Sequence, residues 1–335
     1  MPAVWEDSAL YRLLRPYVDA CTRRSYSSLT VEGSLPEDGA VIIAPNHTNT
    51  LMDALVVLQS RRDATVFGAR ADIFRKPAIA RILRFLRILP FSRQRDGNQA
   101  VLDNYRTFEE VDETLAHGVP FCLFPEGRHR PMHSLLPMGK GVARIAFRSA
   151  ESRQTYLVPT GIEYGDYFRF RSSCRLRFGE PIDVNAFLAA HADLGESERY
   201  KALREELFNR IKELILYIPD DGDYLAKWSK IRRSRMRPDT WWKWPVLVLT
   251  APFFLLSALL LWPLVIPAES LHLSDPAWRN TVRFGFLFAG KPLLFVVWAV
   301  VLLLYCPWWA AMAVLAFYFV ADRVFYDWLN ALKRQ

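Results

Sequence analysis

The sequence predicts an α/β domain followed by a C-terminal membrane region of two or three helical elements. Three observations carry this prediction. Strand-like and helix-like runs alternate from about residue 26 to residue 217, the pattern of an α/β layer fold. No charge occurs from Trp244 to Ala268, a length that suits a hydrocarbon core of ~30 Å crossed by ~20 helical residues. A strongly basic stretch, Lys227 to Lys243, lies directly before that run.

The elements follow in order. Residues 1–25 read as an amphipathic helix, with Leu10, Leu13, Leu14, Tyr17 and Val18 at helical spacing among Arg12, Arg15, Arg23 and Arg24. Ser28 to Gly33 and Ala40 to Pro45 read as strands, separated by a Pro-Glu-Asp-Gly turn. A helix begins near Leu51, and "ATVFGA" is a strand. Ala71 to Leu89 reads as a basic amphipathic helix, suited either to an anionic bilayer surface or to partial burial with a solvated basic side. Helices are expected over Gln99 to His117, "GVARIAFRSA" and Glu196 to Tyr217. Strands are expected at "VPFCLFPEG", "TYLVPTGIEY" and "CRLRFGEPI". The chain thus divides into an N-terminal helix (1–25), an α/β domain (26–220), a basic juxtamembrane linker (221–243) and a membrane region (244–335).

Within the membrane region a second uncharged run extends from Pro292 to Ala321. As one helix it would measure ~45 Å, too long for a simple span. Pro307 disfavours helical geometry at Cys306, so a kinked hairpin or two helices meeting near Tyr305 to Trp309 is expected. Trp241, Trp242, Trp244, Trp308 and Trp309 suit interfacial belts. The basic stretch places the α/β domain on the cytoplasmic face, of a bacterial inner membrane or of the endoplasmic reticulum. The same stretch can hold anionic headgroups.

Net charge is +8 over 335 residues, which favours acidic partners. The membrane segments account for the basic excess, and no nucleic-acid motif occurs, so nucleic acid is not an expected partner. Cys21, Cys122, Cys174 and Cys306 form no CxxC and read as reduced thiols. The N-terminus lacks a basic segment followed by an apolar core, so no cleaved signal peptide is expected.

Four short constellations are expected at strand exits, where α/β folds place ligands. They are "NHTNTLMD" (Asn46 to Asp53), "LPFSRQRDG" with Arg93 and Arg95, "LFPEGRHRP" with Glu126, Gly127, Arg128 and Arg130, and "LVPTGIEY". His47 and Asp53 are six apart, a rotation of roughly 600° on a continuous helix, so they meet only if His47 lies on a loop and Asp53 on the helix after it. Thr48, Asn49 or Thr50 would cap that helix. A His held by a carboxylate through one ring nitrogen can act as a general base at the other. The arginines suit bidentate phosphate binding.

These four blocks, in this order over about residues 25–185, resemble the glycerolipid acyltransferase superfamily of lysophosphatidate and glycerol-3-phosphate acyltransferases. "RFGEPIDV" resembles the family's closing strand. The resemblance implies the glycerolipid acyltransferase fold, a mixed central sheet flanked by helices. It implies that His47, oriented by Asp53, removes the proton from a glycerol hydroxyl, whose oxygen attacks the thioester of acyl-CoA or acyl-carrier protein. Backbone N–H groups near Glu126 and Gly127 would stabilise the oxyanion. Asn46 and Glu126 would bind the acceptor, with Arg93 and either Arg128 or Arg130 on its phosphate. No cofactor is implied beyond the acyl donor, and the partners implied are a phospholipid bilayer and a phosphorylated glycerol or lysolipid. The chain departs from the family pattern in its His-x5-Asp spacing, one residue longer than usual, although yeast-type glycerol-3-phosphate acyltransferases look similar there. It also carries Arg128-His129 after Glu-Gly, and Gly139-Lys140-Gly141 where a Lys precedes the later Gly.

Two other classes compete. A catalytically inactive, membrane-anchored binder of anionic lipid would use the basic segments but needs no positioned base. A metal-dependent hydrolase finds no HExxH or other ligand set, and Pro131 keeps His129 and His133 off a shared helix face, so no metal is expected.

Overall fold

The computed structural model describes residues 3–6, 8–61, 63–92, 98–235 and 242–332. Eight strands form one mixed sheet: β1 (Leu29–Glu32), β2 (Ala40–Pro45), β3 (Val66–Arg70), β4 (Ile88–Phe91), β5 (Phe121–Cys122), β6 (Thr155–Tyr164), β7 (Cys174–Phe178) and β8 (Ile182–Asp183). The order is β1-β7-β6-β2-β5-β3-β4, with β8 on β6. β2 is parallel to both β6 and β5, whereas β7 and β8 run antiparallel to β6. Every residue of β2 is buried, consistent with its uninterrupted apolar sequence and a central position covered on both faces.

Each face of the sheet has its own core. On one face Ala40, Ile42 and Leu157 pack with α4 (Asn98–Ala116), α5 (Lys140–Ala150), α6 (Val184–Ala190) and α7 (Glu196–Leu214). On the other, Val41, Ile43, Val158, Ile162 and Tyr164 pack with α2 (Leu51–Gln59). The alternation along β6 is the strand period of two. Helix α1 (Ala9–Arg24) lies against α2, and Arg15 donates to the carbonyls of Leu58 and Arg61 at the C-terminal end of α2. That satisfies helix-end acceptors and places a cation at the negative end of the dipole.

Two reading errors have physical causes. Ala71 to Leu89 is not one helix: a 3-10 turn (Ala71–Phe74) precedes α3 (Pro77–Phe85), and Ile88 and Leu89 belong to β4. Pro77 starts α3, and Arg87 at φ +62° ends it. "LVPTGIEY" lies inside β6 rather than at a strand exit. Most of residues 221–235 is helix α8 (Tyr224–Arg235).

Three helices, α9 (Lys243–Ser270), α10 (Arg279–Tyr305) and α11 (Trp308–Leu332), are long and apolar enough to cross a membrane. The second uncharged run is therefore two helices, broken at Cys306 and Pro307. These helices also share the second core: Leu260, Leu261, Phe284, Tyr318, Phe325 and Tyr326 cluster with Ile43, Val56 and Tyr164. Pro292 lacks the N–H that would bond the Phe288 carbonyl, and Tyr17 Oη of α1 donates to that oxygen at 2.6 Å.

Candidate active site

The pairing of β2 with β5 builds the site. Ile43 is opposite Cys122, so His47 and Glu126, each four residues further on, leave the same sheet edge side by side. The His47 amide donates to Glu126 Oε1 at 2.8 Å, and the Leu136 amide donates to Oε2 at 2.8 Å. Glu126 thus ties the loop after β2 to the segment after β5. Burial pushes its carboxyl above the ordinary 4.5, against the lowering effect of those two amides and of His47. On the other side of β2, Asn46 continues the ladder with its side chain. Its Oδ1 accepts from the Ile162 amide at 2.7 Å and its Nδ2 donates to the Ile162 carbonyl at 3.1 Å.

His47 and Asp53 meet, with His47 on the loop and Asp53 in the first turn of α2. His47 Nδ1 is 2.8 Å from Asp53 Oδ2. The Thr48 and Asn49 amides also donate to Oδ2, each at 2.7 Å, and Tyr164 Oη donates to Oδ1 at 2.7 Å. An ionised carboxylate only accepts, so Nδ1 carries the proton and Nε2 keeps its lone pair. Asp53 is fully buried. It also takes over the capping expected of Thr48, Asn49 or Thr50: Thr50 occupies the cap position without a side-chain cap bond. Thr50 sits at φ +47°, an unfavourable conformation for a β-branched residue, and its Oγ1 is 2.6 Å from Thr281 Oγ1 at the start of α10.

The His47 ring stacks on Phe124 with centroids 4.2 Å apart and meets the edge of His129 at 5.6 Å. Its Nε2 has no hydrogen-bond partner among the described residues. Gly127, at φ +66°, forms the turn after Glu126, and its amide donates to the Phe124 carbonyl at 3.1 Å. The amides of Arg128 and His129 have no protein partner among the described residues, so they are the groups of this turn left for an oxyanion. Arg128 is exposed and unpaired among the described residues. Arg130 is committed: Nη1 donates to Asp220 at 2.5 Å and Nη2 to Ser134 at 2.7 Å. Arg93 lies outside the described residues. Among those described, no group of three His, Cys, Asp or Glu side chains is arranged to hold a metal.

Sequence reading missed Tyr164, His129 and Asp275. Tyr164 follows Ile162 on one face of β6, a signal available from strand period once Asn46 is known to pair there. His129 Nε2 is 2.7 Å from Asp275 Oδ2, and its ring meets the edge of Trp278. Burial pushes the Asp275 carboxyl up, but the Ala277 amide and His129 outweigh it and hold the carboxyl below its ordinary 3.8. This pair joins the Glu-Gly turn to the loop between α9 and α10, a contact with no local sequence signal.

Comparisons with known proteins find similarity over the segment that carries this site. The model of the Acyltransferase family matches residues 28–163, which include His47, Asp53, Glu126 and all but the last residue of β6. That segment, less than half of the chain, is similar to the Acyltransferase family. Glycerol-3-phosphate O-acyltransferase 1 of Saccharomyces cerevisiae is 32% identical to this chain over 142 residues, 41% of this chain and 19% of that protein. Glycerol-3-phosphate O-acyltransferase 2 of the same yeast is 30% identical over 122 residues, 36% of this chain and 16% of that protein. The match thus spans less than a fifth of these curated relatives. The crystal structure of PlsC, the 1-acyl-sn-glycerophosphate (LPA) acyltransferase of Thermotoga maritima, superposes with a TM-score of 0.45 at 24% identity, covering 62% of this chain and 83% of that one.

Proposed function

We propose that the protein is a membrane-bound O-acyltransferase that moves a fatty acyl group from acyl-CoA or acyl-carrier protein to a hydroxyl of a glycerol phosphate or lysophospholipid. The observation that carries this reading is the His47–Asp53 pair. Its carboxylate is fully buried and four-fold hydrogen-bonded, and its imidazole keeps a free Nε2. An inert lipid binder has no use for a base held this firmly.

In this reading the acceptor hydroxyl gives its proton to His47 Nε2 as its oxygen attacks the thioester carbon. Asp53 stabilises the imidazolium without taking the proton. The Arg128 and His129 amides receive the oxyanion. Collapse restores the carbonyl and breaks the C–S bond, and His47 returns the proton to the departing thiolate. No acyl-enzyme forms, and the chain has no GxSxG elbow. Arg128 holds the acceptor phosphate, since Arg130 is engaged by Asp220. Arg93 remains a second proposed phosphate ligand, while Asn46 and Glu126 fix the loop that presents His47. Helices α9–α11 hold the domain at the bilayer, and the basic stretch before them favours a cytoplasmic site.

The test is product identification. Purified protein in detergent is given labelled acyl-CoA or acyl-carrier protein with glycerol 3-phosphate, lysophosphatidate or other lysophospholipids, and lipids are analysed by mass spectrometry. Acylation of at least one acceptor is expected, with His47→Ala lowering it by about 10²–10⁴-fold, the usual worth of a general base. No product with any pair would refute the enzyme and leave the anionic-lipid binder.

A further inference from the structure

Away from His47, helices α1, α10 and α11 enclose a cavity of about 360 Å³, within the range of small-ligand sites. Phe170, Phe284, Leu287, Phe295 and Tyr318 give it apolar and aromatic walls. The charged residues in its lining are Arg24, Lys291 and Asp322, one from each helix. Asp322 is 4% exposed. It accepts from Arg24 Nη2 at 2.6 Å and from Lys291 Nζ at 2.5 Å. Two cations thus face one carboxylate, leaving a net positive charge among apolar walls. A charge in such surroundings is costly unless paired, and charged groups inside apolar helical regions commonly mark ligand sites. Donors are also left over. Lys291 spends two of its three on Asp322 and the Phe319 carbonyl, and Arg24 Nη1 has no partner among the described residues.

We infer that this cavity binds an acyl chain ending in an anion. The headgroup neutralises the surplus cation between Arg24 and Lys291, and the chain lies along the aromatic walls. The site is distinct from the one at His47. Asn280 and Thr281, at the start of α10, reach Tyr167 and Thr50, whereas the cavity is lined further along the same helix, from Phe284 to Phe295. The inference does not require acyl transfer: charge and shape alone define the ligand.

Photolabelling tests it. Full-length protein in nanodiscs of zwitterionic lipid is irradiated with a diazirine analogue of palmitic acid, and the labelled peptides are mapped. Labelling is expected within residues 17–25, 284–295 and 318–322. Palmitate or lysophosphatidate should displace the label at concentrations at least about tenfold below neutral monoacylglycerol, which leaves the surplus positive charge without a second anion. The more potent of the two anions identifies the headgroup as carboxylate or phosphate. Lys291→Met should weaken displacement about tenfold, and Ala20→Trp should block the cavity without touching its charges, so it decides the matter if Lys291→Met does not fold. His47→Ala should leave labelling unchanged. Scattered labelling of α9–α11, equal displacement by the neutral lipid, or loss of labelling in His47→Ala would each overturn the inference.

Discussion

Asp53 carries more of the site than its distance to His47 conveys. It fixes the tautomer of one ring, ends the loop by accepting two amides, and takes the Tyr164 hydroxyl. Burial, followed by the Asp53 charge, raises the Tyr164 phenol well above its ordinary value, so it stays a donor. Tyr164→Phe removes one bond to a buried charge. Chemical denaturation should read a loss of ~1.5–3 kcal/mol, with acyl transfer reduced far less than in His47→Ala. Equal stability of the two proteins would mean that Asp53 does not depend on Tyr164. Glu126 gives a pH-dependent counterpart. Its folded-state pKa is raised, so protonation favours the folded chain. Its contribution is fully present below the ordinary 4.5 and is lost as pH rises through the raised value. Glu126→Gln removes that titration and turns one acceptor into a donor facing an amide, at a cost of ~1–3 kcal/mol. Unfolding midpoints of wild type minus variant should therefore widen as pH falls from neutrality to 4.5, and a flat difference would contradict the assignment.

At the scale of elements, α3 is a segment whose sequence and structure both leave an apolar face without a cover. Ile79, Ile82 and Leu86 are exposed, with Ile82 at 58%. Arg75, Lys76 and Arg81 accompany them. Such a helix lies well on an anionic surface. Amide exchange over residues 77–86 should slow in nanodiscs containing anionic lipid relative to neutral ones, and Ile79→Asp with Ile82→Asp should remove the difference. Exchange indifferent to lipid charge would make α3 a solvated helix. The elements also mark what could be read from the chain alone. Strand β2, the loop with His47 and the helix carrying Asp53 were legible because each depends on local pattern. The end of α3 was not, because a single positive φ at Arg87 diverts an apolar run into β4. The engagement of Arg130 by Asp220, 90 residues away, was equally hidden.

For the whole molecule the question is whether α9–α11 merely anchor the α/β domain or are part of it. Their side chains complete the core on the α2 face of the sheet, and the loop between α9 and α10 supplies Asp275 to His129. Asn280 donates to the Tyr167 carbonyl at 2.8 Å, the same oxygen that receives Asn49 of the His47 loop at 3.3 Å. A chain ending at residue 235 would uncover that core face, and each large apolar side chain fully exposed there costs ~1.5–3 kcal/mol. Loss of several such contacts rivals the ~5–15 kcal/mol that separates a folded domain from its unfolded chain. The shortened protein should therefore be insoluble, or unfold at a clearly lower denaturant concentration, and show no acyl transfer even to a soluble acceptor such as glycerol 3-phosphate. Asp275→Asn in the full chain separates the two contributions. It keeps the core intact, leaves an oxygen to accept from the Ala277 amide and weakens the bond to His129, so it should leave the unfolding midpoint nearly unchanged while lowering turnover. If the shortened protein instead melts like the full chain and turns over a soluble acceptor at the same rate, the helices serve as a tether alone. Their contacts with the His47 loop would then be incidental to the chemistry.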